Sequence, residues 1–181
     1  MCYSPCENYL AAGSHDCTAY IWRIDEDGSY HLHSKFDKNS SYITSLDWSA
    51  DSTCIRTNSG DYAKLIYSVE KKEHLTHHDA SQQLWFTHTS KLEWTTLGVY
   101  PKTEDGSHIN SVWRNNHGLL FSADDFGLVN VFNENALDST HEARSYGGHS
   151  EHVVRVISSD DGAHFWSVGG NDKTIIQWRR K

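Results

Sequence analysis

The 181-residue chain carries 16 Lys and Arg against 24 Asp and Glu, a formal charge of −8, which argues against nucleic-acid or anionic-membrane surfaces, since both need a positive footprint. Hydrophobic residues make up only 37% but aromatics reach 12%, so large rings rather than aliphatic bulk must supply the core of an ordered domain.

In chain order, one pattern appears four times. Tyr9 to Asp16 reads as a strand and a small-residue turn, and Ala19-Tyr20-Ile21-Trp22 as the strand that returns. Tyr42 to Trp48 alternates apolar and polar residues like a half-buried strand, with turn formers at Ser49 to Ser52. The second copy is Cys54 to Asp61 followed by Lys64-Leu65-Ile66-Tyr67. Glu70 to Ser90 is polar and irregular, either loop or short helix. The third copy is Leu119 to Asp125 followed by Leu128 to Phe132. Val153 to Ile157 alternates again, and the fourth copy is His164 to Asp172 followed by Thr174 to Trp178. Turns are expected at Ser14–Thr18, Gly60–Ala63, Asp124–Leu128 and Asn171–Thr174.

The returning strands end in aromatics at positions 22, 67, 132 and 178, spaced 45, 65 and 46 apart. From turn Asp to aromatic is six residues in copies one, two and four and seven in copy three, where Phe126-Gly127 is expected to lengthen the turn by one. Four short strands at a period of roughly 40–45 residues is the WD40 pattern. The chain is therefore read as all-β, a partial WD40-type β-propeller of about three and a half blades. The expected boundaries are 1–36 (partial blade), 37–76 (blade), 77–101 (insertion and outer strand), 102–141 (blade) and 142–181 (C-terminal blade). Met1 falls in mid-blade, with the first strand of copy one mostly missing, so a fragment of a longer product is expected, completed by upstream propeller blades. The isolated chain is expected to fold poorly, because blades are stabilised by their neighbours.

A tight inter-strand turn leaves backbone N–H groups unpaired, and a carboxylate can accept from them. An Asp can orient a His, and a Trp buries a large face while its N–H seeks a partner. The residues expected in such structural positions are Asp16, Trp22, Thr57, Asp61, Tyr67, Asp125, Phe132, His149, Asp172 and Trp178. The network is expected to be incomplete in copy four, where Val168 takes the hydroxyl position. Copy two has Asn39 in place of the His, and copy one has Ala12 in place of the hydroxyl. These residues recur with the repeat instead of converging once, so they are read as turn pins rather than catalytic groups.

No phosphate loop, GxSxG or HExxH motif occurs, and no enzyme activity, metal or cofactor is expected. His74, His77, His78 and His88, with Asp79 nearby, are read as solvated histidines of an irregular segment rather than zinc ligands. No apolar run approaches the roughly 20 residues that span a bilayer. The four cysteines, Cys2, Cys6, Cys17 and Cys54, form no disulfide framework and suit a reducing compartment. Arg179-Arg180-Lys181 reads as a solubilising end.

Several segments go beyond the general repeat: Gly13-Ser14-His15-Asp16, Ser45-Leu46-Asp47-Trp48-Ser49 with Asn58-Ser59-Gly60-Asp61-Tyr62, Asp105 to Val112, Ser122 to Gly127, Tyr146 to Ser150, and Gly169 to Asp172 followed by Ile175-Ile176-Gln177-Trp178. In this order they resemble the last blades of the echinoderm microtubule-associated protein-like family, and Leu84 to Pro101 looks like the family's insertion. The resemblance implies a non-catalytic propeller segment that binds tubulin or microtubules in the cytoplasm and cytoskeleton, with lattice attachment assigned to an N-terminal coiled coil and basic segment. The alternative is a general interaction scaffold with a non-tubulin partner.

Overall fold

The computed structural model describes residues 1–100, 108–133, 135–138 and 140–180. Pro101, the Asp105-Gly106-Ser107 part of the family-like segment and Lys181 lie outside the described residues. The described residues form four antiparallel sheets of consecutive strands. Sheet one holds β1 (Cys2–Tyr3), β2 (Tyr9–Gly13), β3 (Ala19–Ile24) and β4 (Tyr30–Phe36). Sheet two holds β5 (Ile43–Trp48), β6 (Cys54–Ser59), β7 (Lys64–Ser68) and β8 (Glu73–Leu75). A six-residue 3-10 helix, Trp94–Val99, follows. Sheet three holds β9 (Ile109–Arg114), β10 (Leu120–Asp124), β11 (Leu128–Phe132) and β12 (Arg144–Gly147), and sheet four β13 (Val153–Ser158), β14 (His164–Gly169) and β15 (Ile175–Arg179). The chain divides into two units, Met1–Leu92 with sheets one and two, and Glu93–Lys181 with sheets three and four.

Within the first unit the two sheets share a core of Ala11, Ala19, Ile21, Phe36, Trp48, Ile55, Tyr67 and Val69. Phe36 stacks on Tyr67 at 4.5 Å, and the Trp48 indole N–H donates to the Cys2 carbonyl at 3.2 Å. In the second unit the same task falls to Phe121, Val129, Val153 and Val156, while Trp178 stacks on Phe165 at 5.6 Å and meets Tyr146 at 6.0 Å. Rings thus fill the space between sheets, as a low-aliphatic composition requires.

The turn between the first and second strand of every sheet is built alike. Its first residue, Ser4, Ser49, Asn115 or Ser159, turns its side-chain oxygen onto the N–H of the residue that reopens the chain: Tyr9 at 3.1 Å, Cys54 at 2.9 Å, Leu119 at 2.9 Å and His164 at 3.1 Å. Three residues after each comes a left-handed residue, Glu7, Ser52, Gly118 or Gly162. Each pin satisfies a donor that the ladder has abandoned, at about 1 kcal/mol net per bond.

Residues 76–92 fold back onto sheet two as a strap. The Phe86 N–H donates to the Trp48 carbonyl and the Ala50 N–H to that of Leu84, around one isolated bridge between Ser49 and Trp85. All six residues of β6 are buried, and the strap is what covers Arg56 and Asn58. Arg56 donates from Nε to Asp47 Oδ2 at 2.9 Å, with the side chains 3% and 1% exposed. Its guanidinium lies 4.4 Å from the Trp85 ring centre. The strap donates to the carboxylate through the N–H groups of Thr89 and Ser90 and the Thr89 hydroxyl. Asn58 Oδ1 accepts from the Ser90 hydroxyl and the Lys91 N–H, both at 2.9 Å. A buried ion pair is tolerable only when its remaining hydrogen-bond positions are filled, and the strap fills them.

The outer anchor of the strap is Asp51, which accepts from Ser49 Oγ at 2.6 Å, Gln83 Nε2 at 2.7 Å, and the N–H and hydroxyl of Thr53 at 3.1 and 2.9 Å. Partial burial works against its charge. The hydrogen bonds outweigh that and hold the carboxyl at about 2, down from an ordinary 3.8.

Two outcomes follow for the strap. Asp47→Ala strands a buried guanidinium and should lower stability by about 3–5 kcal/mol in urea titration, the usual cost of breaking a buried pair. Asp51 is depressed in the folded state, so its contribution is complete above pH ~4 and drains away as pH falls toward 2. Trp85 fluorescence should report the strap loosening over that window, and Asp51→Ala should remove that part of the transition.

Candidate functional site

The most developed polar assembly joins the loop before β13 to the β14–β15 hairpin. His149 Nδ1 lies 2.8 Å from Asp172 Oδ2, and its Nε2 lies 2.7 Å from Ser167 Oγ. The Trp178 indole N–H donates to the same Ser167 oxygen at 2.8 Å, and Thr174 Oγ1 lies 2.9 Å from His149 Nδ1. A carboxylate facing Nδ1 fits the Nδ1–H tautomer, with Nε2 accepting from the Ser167 hydroxyl. Asp172 Oδ1 also accepts from the Thr174 N–H at 3.1 Å, pinning the turn. Burial opposes the Asp172 charge, but the Thr174 N–H and the His149 and Thr174 side chains hold its carboxyl below the ordinary value.

The network in copy four is therefore complete, against the expectation that Val168 would interrupt it. The hydroxyl comes from Ser167, which is 0% exposed, while Val168 faces outward. The reason is the register. In sheets one, two and three the aromatic pairs with a residue 12 positions earlier, as Leu10 with Trp22, Ile55 with Tyr67 and Leu120 with Phe132. In sheet four Phe165 pairs with Trp178, 13 positions apart. The extra residue lies in this hairpin, so counting back from Asp172 lands on the wrong face of the strand.

The same measure corrects copy three, whose hairpin is not lengthened. Each returning turn has a left-handed residue five positions before the aromatic: Cys17, Tyr62, Gly127 and Lys173. In copies one, two and four an aspartate precedes it, but in copy three Phe126 does. The pinning carboxylate there is Asp124, not Asp125. Asp124 Oδ1 accepts from the N–H groups of Phe126 and Leu128, both at 2.9 Å, and Oδ2 from Asn130 at 3.0 Å. Asp125 instead accepts from Asn110 Nδ2 at 2.8 Å. Gly127 is required twice over: its φ is 78°, and a Cβ would stand 2.7 Å from the His149 carbonyl.

In copy two, Asn39 bridges the remaining partners. The Thr57 hydroxyl donates to Asn39 Oδ1 at 2.9 Å, and Asn39 Nδ2 donates to Tyr67 Oη at 3.0 Å. Burial pushes the Tyr67 phenol up to about 12. Asp61 stands outside this chain and is held by the Ser40 and Ser59 hydroxyls. In copy one, Asp16 accepts from the Thr18 N–H at 3.0 Å and the Tyr20 hydroxyl at 2.7 Å, and Tyr20 stacks on Trp22. In copy three, Ser122 occupies the hydroxyl position, but Phe132 offers no N–H. Ser122 Oγ has no hydrogen-bond partner among the described residues.

Asp172, His149 and Ser167 are connected like a hydrolytic triad. Ser167, however, is sealed from solvent and its oxygen already accepts from Trp178, so no carbonyl can approach it. Among the described residues no three His, Cys, Asp or Glu side chains converge as a metal site. His77 and His78 are exposed on the strap, and Asp79 is occupied by Thr76. No helix among the described residues is long and apolar enough to cross a membrane. No disulfide joins Cys2, Cys6, Cys17 and Cys54 to one another.

These repeated pins and the sheets they hold can now be set beside known proteins. Residues 1–180 match the family described as echinoderm microtubule-associated protein second beta-propeller. The chain belongs to that family. Echinoderm microtubule-associated protein-like 2 of Rattus norvegicus is 39% identical over 180 residues, covering 98% of this chain and 28% of that protein. The ciliary WD repeat-containing protein ctxp80 of Euplotoides octocarinatus is 39% identical over 184 residues, covering 100% of this chain and 25% of that protein. The chain spans about a quarter of the length of these relatives. Among solved structures, the β-propeller domain of Myceliophteria thermophila Cps50 (Swd1) superposes with a TM-score of 0.63 at 16% identity, over 92% of this chain and 60% of that one. The fold is thus a partial WD40-type β-propeller of small antiparallel sheets.

Ser167→Ala should cost about 1–3 kcal/mol in urea titration, since it leaves His149 Nε2 and the Trp178 N–H without their shared partner. Val168→Thr, one residue away on the outer face, should leave the midpoint unchanged.

Proposed function

We propose that this chain is part of a non-catalytic propeller platform through which a microtubule-associated protein binds tubulin, in the cytoplasm and at the cytoskeleton. The observation that supports this most is the family match along residues 1–180. The polar assemblies agree with it, because those built on Asp172, Asp47 and Asn39 hold turns, the strap or neighbouring strands together. The aspartate, histidine, hydroxyl and aromatic positions of the repeat are read as structural throughout.

Charge narrows the mode of binding. Tubulin is acidic and the chain is −8, so long-range steering opposes encounter. Binding then rests on a shaped protein surface, and attachment to the lattice belongs to a basic segment of the kind the family carries. At physiological salt the 181-residue chain should stay in the supernatant when microtubules are pelleted, yet retain soluble tubulin dimers in a pull-down from lysate. The same chain fused to a basic N-terminal segment should pellet. Tight, salt-resistant pelleting of the chain alone would place a lattice site within these blades, and a pull-down without tubulin would favour a scaffold for another partner.

A further inference from the structure

The third returning turn departs from the other three in a way the fold does not require. Phe126 stands where Asp16, Asp61 and Asp172 stand elsewhere, and its ring is 65% exposed. The pinning duty has moved to Asp124, which leaves the Asp125 carboxylate on the surface, where it accepts from Asn110 Nδ2. A large ring at an exposed turn contributes little to a core, and such local departures mark places where something besides folding is served.

What surrounds the ring gives the departure a chemical sense. Asp125 and Phe126 form one wall of an open depression of about 480 Å³, and Ser150, Glu151 and His152 form the other. Among the described residues no Lys or Arg lines it, while two carboxylates do, Glu151 with His152 Nδ1 3.7 Å away. Both walls are held. Gly127 packs its backbone against the His149 and Glu151 carbonyls, and His149, which leads into the second wall, is tethered through both ring nitrogens. The depression is therefore shaped before any ligand arrives, which lowers the ordering cost of binding.

We propose that this depression receives an arginine side chain of a protein partner, its guanidinium lying against the Phe126 ring and pairing with Asp125 and Glu151. A flat, weakly hydrated cation suits an aromatic wall beside carboxylates better than the compact, strongly hydrated ammonium of lysine. This deepens the reading of the chain as a protein-binding platform by naming one contact and its chemistry.

The test uses the full chain and three tripeptides, acetylated and amidated, with Arg, Lys or citrulline between two glycines, followed by NMR titration. The arginine peptide should shift the Phe126 and His152 resonances saturably, and the uncharged citrulline peptide should not. Phe126→Ala should weaken the arginine peptide about two- to fivefold, Phe126→Tyr should restore it, and Glu151→Gln should weaken it and flatten its salt dependence. Both positions are exposed, so melting temperatures should not move. Equal binding of the citrulline peptide, equal or tighter binding of the lysine peptide, or unchanged affinity in Phe126→Ala and Glu151→Gln would each overturn the assignment. Tubulin capture is scored separately: a chain that takes the arginine peptide but not tubulin keeps the depression and loses the tubulin reading.

Discussion

A turn between two strands has N–H groups that the ladder cannot serve, and across the fifteen short strands of the described residues nearly every structural decision is a response to that shortage of acceptors. At the first turn of each sheet the answer is a short side chain, Ser or Asn, bent over its own loop. At the returning turn it is an aspartate placed just ahead of a left-handed residue, or Asp124 reaching over from the strand. Once the turns are pinned the register is set, and in a sheet the register decides which residues enter the core. Trp48, Tyr67 and Phe121 are buried because the turns beside them cannot slip.

The same logic accounts for the arrangement with the connectivity of a hydrolase triad in the fourth sheet. Asp172 serves the Thr174 N–H and orients His149; His149 reaches Ser167; Ser167 receives the Trp178 indole. Each member satisfies the next, and the series ends inside the sheet rather than at a cleft. Connectivity alone does not distinguish a catalytic triad from a structural clamp. Access to the hydroxyl oxygen does.

The repeat was legible in the sequence because its strongest markers, a small-residue turn and a terminal aromatic, are local. The all-β repeat of small antiparallel sheets could be read from spacing. What spacing could not give was a one-residue difference on the far side of a turn. The fourth hairpin is longer by a residue before its aspartate, which moves the hydroxyl position from Val168 to Ser167, and Asp124, two places upstream of the usual position, still reaches the third turn. Alternation marks the same residue, since Ser167 is buried between the more exposed Trp166 and Val168. Asp47, Arg56 and Asn58 are polar strand residues that nothing local marks as buried. Their burial depends on residues 76–92 returning from thirty or more positions away, and nothing local announces such a return.

That return ties distant stretches of sequence together. Shortening the chain by deleting 76–92 would remove the donors that Asp47 and Asn58 accept from and open the Asp47–Arg56 pair to water. Replacing Asp47, Arg56 and Asn58 by apolar residues while keeping the strap would strand the N–H groups of Thr89, Ser90 and Lys91 instead. The inserted segment and the three strand residues can be gained or lost only together, so a relative with a short connection after its second blade should carry a different trio on the matching strands.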